Sequence, residues 1–331
     1  MTTAQVKQEM TDLSACREDF PGLKALMHGK PLTFLDSAAS AQKPYAVIEA
    51  MNCVMNDGYA NIHRGLYELS QSLTHRYELV RERVADFIGA ENKDTIVFTR
   101  NATEGFNLIA QSWGRSFLKE GDEVILTEME HHANIVPWQI LRHQIGITIK
   151  TVPVTETGHL ELDALDGLLT DKTRCVSFVH VSNSLGTVNP AKDIVRKVKA
   201  FNPEIVTVVD GTQAAVHTRV DVLDLGCDFF VFTGHKLYGP TGVGVWYGKP
   251  DLLEAMPPYQ GGGDMIDTVA FAKTTFKPAP YKFEAGTPPI IEVIGLRAAI
   301  DYVETVGMEN ICAWESALLR AAEESLQDIP G

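Results

Sequence analysis

The chain has 331 residues, 45% of them hydrophobic, and carries 29 Lys plus Arg against 43 Asp plus Glu, a net charge of −14. That apolar content supplies a sizeable core and excludes a disordered or fibrous chain. The acidic balance argues against nucleic acid or an anionic membrane as the main partner, because both are held by a basic footprint. Cys16, Cys53, Cys175, Cys227 and Cys312 are scattered and form no CxxC pair, which fits a reducing compartment. The start, MTTAQVKQEMTDLSACREDF, lacks the apolar stretch of a signal peptide, and no apolar run has membrane-spanning length. The expectation is a cytoplasmic protein with no membrane or nucleic-acid partner.

In chain order, SLTHRYELVRERVADFIG places Leu73, Tyr77, Val80, Val84 and Phe87 three or four apart, which predicts an amphipathic helix closed by Gly89. TIVFT (95–99) predicts a strand, followed by a helical ATEGFNLIAQSW. EVILT (123–127) and ITIKTVPV (147–154) are strands around a helical ANIVPWQILRHQ. TRCVSFVHV (173–181), EIVTVVD (204–210) and CDFFVFT (227–233) continue the strands, with LDALDGLL and AKDIVRKVKAF as helices between some of them. GVGVWYG adds a last strand, and from Pro289 the chain turns helical through IIEVIGLRAAIDYVETVG and ENICAWESALLRAAEESL. Apolar strands alternating with helices predict an α/β fold with a mostly parallel sheet flanked by helices.

Ligands of such sheets gather outside the carboxyl ends of the strands. The polar residues there are Thr99-Arg100-Asn101, Glu130-His131-His132, His180 to Asn183, Asp210 to Gln213, and Thr233 to Lys236. Standard phosphate motifs fail on spacing: Gly248-Lys249 is followed by Pro250, and Gly242-Val-Gly244 has Tyr247 in the third glycine position. HExxH is absent, and adjacent His131-His132 are a poor metal pair, so no metal is expected. What remains is one lysine, one strand-end aspartate and a loop-to-helix junction, RNATEG. That set suits pyridoxal phosphate, which needs an amine for a Schiff base, a carboxylate for its ring nitrogen and donors for its phosphate. Asp210 could pair with the ring, Lys236 follows the next strand, Thr103 opens a helix, and Thr233 and His235 flank the lysine. Each also has a plainer use: Asp and Thr cap helices, and lysine snorkels to water.

FTGHKLYGPTGVGVWYG resembles the cysteine desulfurases of the class V aminotransferase family, in particular the SUF-type group with its selenocysteine lyase relatives. So do YANIHRGLYELS, FTRNATEGFNLIAQSWGR, EMEHHANIVPWQ, HVSNSLGTVNP, VVDGTQAAVH, YQGGGDMI and FEAGTPP. The resemblance implies a pyridoxal-phosphate enzyme of fold type I, working as a homodimer. By motif, Lys236 would hold the cofactor as a Schiff base, Asp210 would pair with the ring nitrogen and Gln213 with the phenolic oxygen. His131 would stack on the ring and exchange protons with substrate. Thr103, Thr233 and His235 would bind phosphate, and Thr287 would reach the phosphate of the neighbouring subunit. Asn183 would sit near the substrate carboxylate and the phenolic oxygen. The implied reaction converts L-cysteine, or L-selenocysteine in the lyases, to L-alanine, with sulfane sulfur passed to an acceptor protein for iron–sulfur cluster assembly.

None of the five cysteines has the R-x-G-x-x-C neighbourhood of the family's nucleophile, and the carboxylate-binding arginine near that loop is also missing. The expected layout is an N-terminal segment 1–30, a cofactor-binding domain 31–288 and the start of a small domain at 289–331, its cysteine-bearing part absent after SLQDIPG. A fragment of a desulfurase is the reading that intact Lys236, Asp210, Gln213 and His131 favour. The alternative is a truncated scaffold or partner subunit. On either reading the apolar faces of the last two helices are expected to lack a cover.

Overall fold

The computed structural model describes residues 11–327 and 329. Seven strands form the central sheet: β1 (Ile96–Thr99), β2 (Glu123–Thr127), β3 (Thr148–Val152), β4 (Thr173–Val179), β5 (Val206–Asp210), β6 (Phe229–Thr233) and β7 (Gly244–Gly248). Their order is β1-β7-β6-β5-β4-β2-β3. All neighbours are parallel except β7, which runs antiparallel to both β1 and β6. The exception has a local cause: the segment between Thr233 and Gly244 contains no crossover helix, and a parallel return needs one. The strands predicted over 147–154 and 173–181 stop earlier, at Val152 and Val179; after Val152, Pro153 cannot donate to a ladder.

Successive strand residues serve opposite faces. Val209, Phe230, Phe232 and Val245 join one apolar cluster, while Val208, Phe229, Val231 and Trp246 join the other. Burial on both faces explains why β5, β6 and β7 read as continuous apolar runs.

The helix predicted around Leu73 spans Glu68–Phe87, with Leu73, Tyr77, Val80 and Val84 buried. It also buries an arginine. Arg81 is 0% exposed and grips Glu284 with two hydrogen bonds of 2.6 and 2.9 Å while donating to the Ile96 carbonyl at 2.8 Å. Glu284 in turn accepts the Phe98 N–H at 2.7 Å, so one ion pair ties the helix to β1 and to the FEAGTPP segment. Ile290–Val306 lies against Tyr45–Asp57 and Glu68–Phe87, burying Val293, Leu296, Ala299, Ile300 and Val303. Its apolar face is therefore covered from within the chain, contrary to the sequence expectation. In the next helix, Met308–Leu326, Met308 and Ile311 are buried, but Leu318 and Leu319 are 54% and 60% exposed. Among the described residues no helix is long and apolar enough to cross a membrane.

Candidate active site

The carboxyl ends of β1, β2, β4, β5 and β6 open into one cavity of about 470 Å³. It is lined by Thr103, His131, Asn183, Asp210, Gln213, Thr233, His235 and Lys236, so eight of the nine predicted site residues meet there. Two glycines allow the walls to close. A Cβ on Gly244 would lie 2.5 Å from the Asn101 carbonyl carbon, so the bare backbone of β7 lets the 101–103 turn approach. A Cβ on Gly211 would meet the Phe230 ring at 1.8 Å, so the turn after Asp210 rests directly on that ring.

Asp210 ends β5 and is 3% exposed. Burial raises its proton affinity, while the Thr212 N–H, donating to Oδ1 at 2.9 Å, and the charges of His131 and Lys236 favour the carboxylate. The balance stays above the ordinary value because burial outweighs those contributions. Lys236 moves the other way: burial disfavours its ammonium, and the opposing pull of Asp210 does not restore it. The two groups line the same cavity, and each charge favours the other.

His131 follows β2. The Ala133 N–H donates to its Nδ1 at 3.1 Å, which puts the proton of the neutral ring on Nε2. Burial lowers its pKa, and Lys236 and His132 add to that against the pull of Asp210. Behind it, buried Glu130 accepts from the Thr127 hydroxyl at 2.6 Å, the Asn134 amide at 2.6 Å and the Val179 N–H at 2.9 Å. These bonds fasten the His131 loop to the end of β4. Burial pushes the Glu130 carboxyl up to about 8 against those donors.

Gln213 donates one amide hydrogen to the Ala38 carbonyl at 2.9 Å, which leaves its second N–H free. Thr233 leans towards the Val243 carbonyl at 3.4 Å, and His235 Nδ1 meets the Ser40 hydroxyl at 3.3 Å. Thr103 opens the helix Ala102–Leu108, whose first turn is capped by the Asn101 side chain accepting from the Glu104 N–H at 2.9 Å. Thr287 is not in this cavity. It lines a separate depression with Arg100, Glu104 and Gly286.

Asp36, Ala38 and Ala39 also line the cavity, and sequence reasoning missed them. Their signal, the short polar run DSAASAQKP, follows no strand of the sheet and carries no periodicity. No cysteine lines the cavity among the described residues. Cys175 and Cys227 are fully buried, and burial raises both thiol pKa values. Cys312 lines a neighbouring apolar groove that shares Asn183 and Gln213 with the cavity, but its thiol donates to the His217 carbonyl at 2.7 Å and its pKa is raised by burial.

The cavity suits an aromatic phosphate with an aldehyde. It offers an amine, a buried carboxylate, a stacking imidazole and several hydroxyl and N–H donors. Thr212 Oγ1, buried on its wall, has no hydrogen-bond partner of good geometry among the described residues, though it lies beside the Asp210 carboxylate and favours its charge.

Residues 33–331 match the family model for aminotransferase class-V. The chain is 52% identical over 314 residues to a cysteine desulfurase of Yersinia pestis (strain Pestoides F), covering 95% of this chain and 77% of that one. Among solved structures it is similar to the cysteine desulfurase CsdA (S-sulfonic acid) from Escherichia coli, with a TM-score of 0.89 and 40% identity, covering 97% of this chain and 79% of the other. It is also similar to a C-DES mutant with glycine covalently linked to its PLP cofactor, with a TM-score of 0.76 and 26% identity, covering 89% and 76%.

Proposed function

The chain belongs to the aminotransferase class-V family and, within it, to the pyridoxal-phosphate-dependent cysteine desulfurases; from that premise we propose how its own residues remove sulfur from L-cysteine. The observation that carries the reading is the convergence of Lys236, Asp210, His131 and Gln213 on one cavity at the strand ends. Bound pyridoxal phosphate supplies an electron sink for the Cα–H bond that breaks. Lys236 Nζ would hold it and, as a free amine, would take the Cα proton of the substrate. Burial disfavours the ammonium and lowers its pKa against the pull of Asp210, which favours the free amine that a base requires. Asp210 would support a positive charge on the pyridine nitrogen. His131 would cover the ring, its proton set on Nε2 by the Ala133 contact on the opposite nitrogen. The free N–H of Gln213 would serve the phenolic oxygen, Asn183 that oxygen and the substrate carboxylate, and Thr103, Thr233 and His235 the phosphate.

Thr287 lies outside its own subunit's cavity, which supports a role across a dimer interface, on the phosphate of a second copy. Exposed Tyr59, Leu66, Tyr67 and Leu69, at 52%, 92%, 55% and 41%, give one segment of the chain an apolar surface for that copy. The described residues supply the cofactor end of the reaction; the thiol that takes the sulfur is, in this family, a cysteine of a segment this chain does not include, a role an added thiol can fill, and the sulfur then passes to a protein serving iron–sulfur cluster assembly.

The test is spectroscopic and chemical. Purified chain mixed with pyridoxal phosphate is expected to turn yellow, and L-cysteine with added dithiothreitol to yield alanine and sulfide in equal amounts. Lys236→Ala is expected to abolish both. A colourless wild-type protein would overturn the cofactor site, and a coloured protein that forms no alanine would overturn the reaction.

A further inference from the structure

One wall of the cavity comes from far away in the sequence, the segment 36–43. It is fastened at two points. Gln213 holds the Ala38 carbonyl at 2.9 Å. The second point is the carbonyl of His235, which accepts the Ala41 N–H at 3.1 Å, the Lys43 ammonium at 3.0 Å and, weakly, the Ser40 hydroxyl at 3.4 Å. Lys43 also donates to the Ala41 carbonyl. Its hydrogen-bond partners among the described residues are thus two backbone carbonyls.

A lysine near a surface normally runs its stem along the protein and keeps its charge in water. Lys43 instead sits half-buried without a carboxylate, and burial lowers its pKa to about 8. Desolvation of this kind is unfavourable unless the site it builds repays it. The carbonyl it holds belongs to the planar peptide unit that also contains the nitrogen and Cα of Lys236, so fixing that oxygen fixes the point from which the Lys236 side chain starts.

We infer that Lys43 is a positioning residue: through the His235 carbonyl it clamps the 36–43 segment onto the loop that presents Lys236, closing one wall of the cavity. This deepens the cofactor reading, and only the second readout below rests on that reading.

The experiment compares wild type with Lys43→Met, which keeps length and loses the donors, and Lys43→Arg, which keeps charge and donors. Hydrogen exchange in peptides spanning 36–43 and 234–239 is measured first, without cofactor. Exchange is expected to rise at least tenfold in Lys43→Met and to stay within about threefold in Lys43→Arg, with β5 protected as in wild type. The release of pyridoxal phosphate is then followed by loss of the yellow band, and is expected to be about tenfold faster in Lys43→Met. Exchange and release within twofold of wild type in Lys43→Met would overturn the inference. If β5 also loses protection, Lys43→Leu, which likewise lacks the donors, replaces Lys43→Met: an increase confined to the two segments supports the clamp, and none overturns it. A wild type that takes up no pyridoxal phosphate would fail the cofactor reading while the exchange result still decides the clamp.

Discussion

Asp210 accepts the Thr212 N–H on Oδ1, yet burial holds its pKa above the ordinary value, and a protonated ring nitrogen would support its charge. Asp210→Asn keeps the shape and the Thr212 contact but cannot hold a positive pyridine. It is expected to retain the yellow band and to lose about 10²-fold or more in the rate of alanine formation, the size seen when a buried electrostatic partner of a transition state is removed. A single-turnover measurement checks this without interference from sulfur release. His131→Gln tests the same scale, because it removes the stacking ring and its movable proton. A loss in kcat larger than any rise in KM is expected from the steady-state split.

At the scale of elements, Glu284 and Arg81 form the joint between the helix Glu68–Phe87, β1 and the Thr287 segment. Removing one partner of a buried pair leaves the other uncompensated. Arg81→Leu is therefore expected to cost about 3–5 kcal/mol in urea unfolding, and Arg81→Leu with Glu284→Gln to recover part of it. Beside this pair, burial pushes the Glu78 carboxyl up, but His63 and Arg81 outweigh it and hold it at about 2. A carboxylate depressed in the folded state stabilises fully above its unfolded pKa, and that contribution is lost as pH falls through the folded value. Glu78 should thus steepen the loss of stability between roughly pH 4.5 and 2, and Glu78→Gln should flatten that part of a thermal-melting profile against pH. The elements themselves were largely legible. Alternating helices and apolar runs gave the strands to within a few residues, and the strand-end rule brought His131, Asp210 and Lys236 together. Two things were hidden. Arg81 reads as the polar member of an amphipathic helix, because its partner Glu284 lies 203 residues away. The 36–43 wall was hidden for the same reason: a segment held through backbone carbonyls leaves no periodicity to read.

For the whole molecule, Leu66 and Tyr67 are exposed and we propose that a second copy covers them, while the net charge of −14 keeps unrelated contacts weak. Leu66→Lys is expected to shift the mass in light scattering from dimer to monomer, and to weaken pyridoxal phosphate binding if Thr287 of a second copy holds the phosphate. The reading of 31–288 as the cofactor unit, with 289–331 opening a smaller one, is our proposal. Ile290–Val306 packs into the larger core, whereas Leu318 and Leu319 on the following helix remain open to solvent. The most direct measurement concerns one covalent bond. The protein is incubated with pyridoxal phosphate, reduced with borohydride, digested and analysed by mass spectrometry. The expected result is one pyridoxyl adduct per chain, on Lys236, with Lys43 unmodified; no adduct, or an adduct on another lysine, would contradict the assignment of the cavity.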